Sequence, residues 1–339
     1  MSVRNETFPV GAASRRAVLR GLGSTAGAVA LGGCASYATG ARFDASEIST
    51  NPTLMVATSR KPVDGAREKP WFGPGRASTL SIAHAKLTPP GTGRFSFASV
   101  GLDDWRLDAI EPVQQISDLP APSSGKRDVL IYVHGFNQTF ENTVLDAARL
   151  SDGIRFRGDT MAFCWPSKAS LLDYGYDRES AMFSRDPMEK TLDGLMASQP
   201  VGRVHIVAHS IGTMLTMEAL RQLSAHQGDG VADRLGAVVF AAPDIDMDVF
   251  SSSVAQIGPL ARNITVLTAT NDRALAVSRW MAGGTTRVGA AQAPQLEQLG
   301  LHVIDTSQEG WGVINHDLFL SNGRIREAIR HAVDSPAGA

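Results

Sequence analysis

From Asp128 onward, short apolar, β-branched runs alternate with amphipathic stretches, and nothing else in the sequence narrows the fold as far. Strands covered on both faces read as continuous apolar runs, and the helices between them carry the chain back to the same end of the sheet. The pattern therefore predicts an α/β protein with a mostly parallel, doubly wound sheet. Core strands are expected at Val129–His134, Thr160–Trp165, Val204–Val207, Ala237–Ala241, Ile264–Leu267 and Leu301–Ile304. Helices are expected at Glu141–Phe156, Arg178–Gln199, Ile211–Gln227, within Met247–Ile257, at Ala274–Met281 and finally at Arg324–Val333. Upstream, Thr53–Thr58 and Thr79–Leu87 read as edge strands separated by a Pro/Gly-rich loop over 60–75. Edge structure between Trp105 and Ile116 and a Pro/Ser/Gly linker over 119–127 follow. With 339 residues, 43% of them hydrophobic, the chain can bury one large core, expected over 53–335.

In an open sheet of this kind the site lies at the carboxyl ends of the strands, so each strand exit is read for chemistry. The stretch Val204-His205-Ile206-Val207-Ala208-His209-Ser210-Ile211-Gly212 predicts a buried strand, a sharp turn and a helix. A serine there stands at a helix N-terminus, where free N–H groups favour a developing oxyanion, and Ser210 is the expected nucleophile. Small residues are needed on both sides of the turn, here Ala208 and Gly212, one methyl group away from G-x-S-x-G. Such a run in isolation is more often an ordinary turn, so the other exits carry the argument. The first leaves through His134-Gly135-Phe136-Asn137, where the Phe136 N–H could join that of Ile211 in an oxyanion hole. His134, at the strand end, reads as a brace, and Asn137 as a residue that orients the loop. His209 adjoins the serine, but neighbours on a tight turn point apart, so the base must come from elsewhere. The fourth core strand exits through Asp244, Asp246 and Asp248, of which at least two read as helix caps. The fifth exits through Asn271-Asp272-Arg273. Asp272 follows Ser210 and precedes the last histidine loop, the chain order of a hydrolase triad, which favours it over Asp244 or Asp246. His316, in the Gly-containing loop 310–317, is the expected general base, since an imidazole titrates near neutrality. His84, His205, His226, His302 and His331 read as solvated or core residues.

The first 33 residues read as an exported leader: Ser14-Arg15-Arg16-Ala17-Val18-Leu19 is a twin-arginine pattern, followed by a mildly apolar run too short to span a bilayer. Leu31-Gly32-Gly33-Cys34 resembles a lipobox, which implies a lipidated Cys34, a flexible tether over 34–52 and a location on the periplasmic or envelope side of a membrane. The competing reading is cleavage in the Ala-rich stretch that follows, giving a soluble product. Removing residues 1–33 takes away four arginines and one glutamate and leaves a formal charge of −5. Attachment to an anionic surface would then come from the lipid rather than from charge. Only Cys34 and Cys164 occur, and Cys164 reads as an inert core thiol. A pI near 6.4 leaves no basic footprint for nucleic acid, and no Cys/His metal cluster or cofactor motif stands out.

Taken together these residues resemble the α/β-hydrolase superfamily, and more narrowly a bacterial esterase/lipase-like family of unknown function. The resemblance runs through Ala57-Thr58-Ser59-Arg60, Phe72-Gly73 with Arg76, His134-Gly135-Phe136-Asn137, Phe163-Cys164-Trp165-Pro166-Ser167 and Tyr176-Asp177-Arg178-Glu179-Ser180-Ala181. It continues through the Ser210 turn, Ala241-Ala242-Pro243-Asp244, Asn271-Asp272-Arg273-Ala274-Leu275 and His316. It implies a Ser210–Asp272–His316 triad working through an acyl-enzyme, without a cofactor, on an ester whose identity it does not supply. The short stretch between the fourth and fifth core strands leaves no room for a large lid. A carboxylesterase is the expected function. The alternatives are an envelope acyltransferase with the same triad and a non-catalytic, lipid-anchored envelope protein with a vestigial site.

Overall fold

Among the described residues, nine strands form one sheet: β1 (Thr53–Pro62), β2 (Phe72–Thr88), β3 (Arg106–Val113), β4 (Arg127–Val133), β5 (Asp159–Cys164), β6 (Val201–His209), β7 (Leu235–Ala241), β8 (Ile264–Thr268) and β9 (His302–Asp305). The computed structural model describes residues 53–64, 69–91, 104–116, 125–281, 284–309 and 318–335. The leader, the tether, Cys34 and His316 lie outside the described residues. The strand order is β3-β2-β1-β5-β4-β6-β7-β8-β9. β1 pairs parallel with β5, and every pair from there to β9 is parallel. β2 and β3 add antiparallel strands at one edge. This is the α/β-hydrolase architecture that the sequence predicts.

The helices are α1 (Phe140–Gly153), α2 (Tyr174–Phe183), α3 (Arg185–Ala197), α4 (Ile211–Gln227), α5 (Met247–Ile257), α6 (Arg273–Met281), α7 (Ala293–Glu297) and α8 (Gly323–Asp334). Alternate side chains of the central strands enter two cores, which is why those strands are apolar throughout. Val129, Ile131, Val133, Ile206 and Ala208 meet Ala181, Leu192, Leu215 and Phe250 on one face. Leu130, Tyr132, Val207 and Val239 meet Phe140, Val144, Ile325 and Ile329 on the other. Helix starts are fixed locally: Thr139 caps α1, Asp246 caps α5 and Asn322 caps α8, each accepting from N–H groups of the first turn.

Two expectations need correction. The helix expected over Arg178–Gln199 starts at Tyr174 and is broken at Ser184 into α2 and α3. Pro187, the third residue of α3, cannot donate to residue 183 and clashes with its carbonyl, so one continuous helix is excluded. The loop expected over 60–75 is shorter, because Arg60 pairs with Arg76 and Pro62 with Phe72, extending both strands of the hairpin. The five-residue helix α7 is too short to carry a periodic signal in the sequence. Between β7 and β8 only α5 and a two-turn 3-10 segment, Gly258–Asn263, intervene, and no large lid stands there.

Beyond β4 the sheet is extended on one side by β5 and on the other by β6. That reversal opens a crevice at the carboxyl ends of β4 and β6. No helix among the described residues is long and apolar enough to cross a membrane.

Candidate active site

Ser210 follows β6 with φ 52° and ψ −122°, a conformation that costs a non-glycine residue free energy and persists only where the surroundings enforce it. Among the described residues, four of the five non-glycine residues with positive φ lie at or beyond strand exits: Asn137 after β4, Ala169 after β5, Ser210 after β6 and Ala242 after β7. Backbone strain is thus concentrated on one edge of the sheet. The Ser210 turn is enforced on both sides. Its N–H donates to the Ala241 carbonyl at 3.0 Å, and its carbonyl accepts from the N–H of Thr213 at 3.1 Å, of Asp244 at 3.2 Å and from the Thr213 hydroxyl at 2.5 Å. Gly212 lies so close to β4 that a Cβ on it would sit 2.3 Å from the His134 carbonyl oxygen, which is why this position accepts no side chain.

The peptide groups flanking the serine have a common arrangement. In a trans peptide the carbonyl and the N–H point in opposite directions, so a pinned carbonyl aims its N–H. The pinned Ser210 carbonyl belongs to the same peptide as the Ile211 N–H, and Ile211 opens α4, where no intrahelical acceptor exists. The Gly135 carbonyl accepts from His134 Nδ1 at 2.8 Å and belongs to the same peptide as the Phe136 N–H. Among the described residues no group accepts from that N–H. Gly135 also touches the serine: a Cβ on it would lie 3.0 Å from Ser210 Cβ. Two N–H groups that find no acceptor among the described residues therefore flank Ser210, and together they can receive an anionic oxygen.

His134 is the brace that its position suggests. Its Nε2 accepts from the Trp165 N–H at 3.1 Å, so the proton sits on Nδ1, and its ring stacks on Trp165 at 4.4 Å. Full burial, followed by the charge of Arg60, pushes its pKa down to about 3, which keeps the imidazole neutral at any working pH. His209 packs its ring against Phe319 at 4.8 Å. Cys164 is buried, and desolvation pushes its thiol up to about 12, an unreactive state.

The acids separate clearly. Asp272, 2% exposed, sits at the exit of β8, and its Oδ1 accepts from the N–H of Ala274 at 2.9 Å and of Leu275 at 3.3 Å, capping α6. Asp246 caps α5, and Asp248 lies in the first turn of that helix. Asp244 does not cap. It is buried in a cluster where it accepts from Ser278 Oγ at 2.6 Å and Tyr174 Oη at 2.7 Å and pairs with the buried Arg287 at 3.1 Å. Burial and the charge of Asp244 raise the Tyr174 phenol. Tyr174 in turn sets its ring edge-on against Phe136 at 5.4 Å. Neither Arg287 nor Tyr174 could be singled out from sequence, because each lies on an element that shows no periodic or motif signal for a buried polar role.

The segment 310–317, with His316, lies outside the described residues, but its flanks are placed. On one side the Thr306 N–H donates to the Thr268 carbonyl at 2.8 Å and the Asn271 side chain to the Ser307 carbonyl at 2.7 Å, tying the β9 exit to that of β8. On the other, the Phe319 ring lies against His209, next to the serine. No group of three or more His, Cys, Asp or Glu side chains able to hold a metal ion occurs among the described residues.

A parallel sheet with a strained serine at the strand-to-helix turn of its switch point defines the α/β-hydrolase class. The chain belongs to a family of alpha/beta hydrolases of unknown function, DUF900, whose family model matches residues 115–332. A curated relative, an uncharacterized protein of Nostoc sp., is 30% identical over 63 residues, which is 19% of this chain and 16% of that protein's length. Among solved structures, a CIB-like hydrolase from Thermoplasma acidophilum is similar at 15% identity over 75% of this chain and 97% of its own, with a TM-score of 0.36. An esterase from Pyrobaculum calidifontis is similar at 12% identity over 76% of this chain and 83% of its own, with a TM-score of 0.36.

Proposed function

We propose that this protein is a serine hydrolase, a carboxylesterase working through an acyl-enzyme. The observation that carries the reading is the Ser210 turn, flanked by the N–H groups of Ile211 and Phe136, which no group among the described residues accepts. His316 takes the proton of the Ser210 hydroxyl as its oxygen attacks the ester carbonyl, and the two N–H groups hold the resulting oxyanion. Collapse expels the alcohol, which receives that proton from the imidazolium. Water, deprotonated by His316, then releases the acid and regenerates Ser210. Asp272 orients the imidazole. Chain geometry supports His316 as the base: it is three residues from Phe319, a span of at most about 10 Å, and the Phe319 ring meets the neighbour of the nucleophile. Asp244 is the weaker choice, since both its oxygens are engaged by Tyr174, Ser278 and Arg287.

Between β7 and β8 the chain inserts no lid domain, only α5 and the short segment Gly258–Asn263, which favours small or polymer-borne esters over a lipid that requires an opening lid. Assayed on p-nitrophenyl esters from acetate to palmitate, the purified protein is expected to hydrolyse the short chains fastest. A rate indistinguishable from buffer across the whole series would remove the reading. The same machinery could pass the acyl group to an envelope alcohol, and an added alcohol would then be acylated in preference to water. The leader, the lipobox and the envelope location form part of the proposal. Cys34→Ser is expected to move the protein from the membrane to the soluble fraction, and an unchanged distribution would rule out a lipid anchor.

A further inference from the structure

The loop Gly135–Gln138 has no regular secondary structure, yet its backbone is held by buried side chains from three separate elements. Asp177, on α2, accepts at Oδ2 from the Asn137 N–H at 3.2 Å and from the Ser167 hydroxyl at 2.6 Å, and at Oδ1 from the Lys168 N–H at 2.9 Å. The Ser167 hydroxyl, beyond the end of β5, accepts from the Gln138 N–H at 3.0 Å. Arg60, on β1, donates from Nη2 to the Gln138 carbonyl at 2.7 Å and from Nη1 to the Ser167 carbonyl at 2.9 Å. Exposure is 2% for Arg60, 1% for Ser167 and 0% for Asp177. A guanidinium, a hydroxyl and a carboxylate are thus taken out of water together, which is unfavourable unless their hydrogen bonds are needed where they are.

What these bonds fix is the backbone on the far side of Phe136. The Gly135 carbonyl is held from one side by His134, and the N–H groups of Asn137 and Gln138 from the other, so the peptide carrying the Phe136 N–H has little freedom. Asn137 takes φ 62°, a conformation that the hydrogen bond to Asp177 helps to hold. Because Gly135 is pressed against Ser210, loosening this loop shifts the Phe136 N–H relative to the nucleophile directly.

We propose that Asp177, Ser167 and Arg60 are positioning residues that set the Gly135–Gln138 loop at the spacing from Ser210 needed for the Phe136 N–H to receive the oxyanion. The proposal rests on the serine-hydrolase reading given above. None of the three touches the reacting atoms. They act on the transition state, where the oxyanion exists, and leave ground-state binding largely alone.

The test uses the full-length protein with Asp177→Asn and, as a milder change, Ser167→Ala. An asparagine in place of Asp177 turns an NH2 toward one of the present donors, so at least one hydrogen bond to the loop or its support is lost. The expected result is a kcat for a short-chain ester lower by about tenfold to a hundredfold, with KM within about twofold. Affinity for a trifluoromethyl ketone, whose serine adduct carries an oxyanion, should fall in parallel with kcat. A kcat unchanged in both variants, or an inhibitor affinity that does not follow kcat, would overturn the proposal. If Asp177→Asn does not fold, Ser167→Ala decides alone, since it removes a single hydroxyl. An active wild type with unaffected variants removes only the positioning role. A wild type that neither hydrolyses esters nor reacts with a fluorophosphonate removes the underlying reading, and this proposal with it.

Discussion

Replacing Ser210 by alanine is expected to lower kcat/KM for p-nitrophenyl acetate by at least about 10⁴-fold, with the melting temperature nearly unchanged. The hydroxyl is the only atom lost. The strained backbone at this position does not depend on it, because Ala242 already takes φ 46° at the adjacent strand exit and Ala169 takes φ 52° beyond β5. The bonds that enforce the turn involve the Ser210 N–H and carbonyl, which alanine retains. The variant should therefore present the same oxyanion-binding N–H groups with no nucleophile between them, and the residual rate reports what those donors achieve with water alone. Equal rates for the variant and the wild type would assign any esterase activity to a different residue.

Asp272→Asn is expected to lower kcat by about 10²-fold to 10⁴-fold while leaving stability close to that of the wild type. Asparagine caps helices about as well as aspartate, so the hydrogen bonds to Ala274 and Leu275 survive, while the second acceptor oxygen and the charge expected to orient and stabilise the imidazolium are lost. The contrast with Asp244→Asn makes the prediction discriminating. That change uncouples the buried guanidinium of Arg287 from its carboxylate, for which a loss on the order of 3 to 5 kcal/mol of stability is expected. Its effect on kcat in the remaining folded protein should be far smaller. Urea unfolding and steady-state kinetics on both variants separate the two roles. The assignment of Asp272 fails if its variant keeps full activity while Asp244→Asn loses activity without losing stability.

What could be read from sequence follows from how local the determinants are. The helix Ile211–Gln227 is found with its expected bounds and the short helix expected within Met247–Ile257 fills that whole stretch, because the Ser210 turn and the Asp246 cap mark their starts within a few residues. Most of the core strands are legible because both faces are apolar, whereas β9, exposed or half-buried at every position, shows only the short apolar pair Val303-Ile304. By contrast, β2 has a largely exposed, weakly alternating surface over its first half, and its extension to Phe72 depends on pairing with β1 rather than on its own composition. The break between α2 and α3 was signalled by Pro187, but the apolar spacing on either side masks it.

The polar interior was the least legible part. Asp177 looks like any acid on an amphipathic helix, and Arg60 like any charge at the end of an edge strand, until the sheet brings them together over more than a hundred positions of sequence. The pairing of Asp244 with Arg287 is hidden for the same reason: a carboxylate that follows a strand looks like a cap whether or not an arginine from a later loop reaches it. Ser210 was accessible to sequence reasoning because the requirements of its turn, with small residues on both sides and a helix beyond it, are met within a dozen neighbours.

The central claim is that the hydroxyl of residue 210 is a nucleophile activated by the histidine at 316. Reaction of the full-length protein with a fluorophosphonate, followed by peptide mass mapping, tests it most directly. A single phosphonate adduct on Ser210 is expected, forming at a rate that rises with pH through the neutral range and becoming negligible in His316→Ala. Absence of an adduct, an adduct on another side chain, or undiminished labelling in His316→Ala would contradict it.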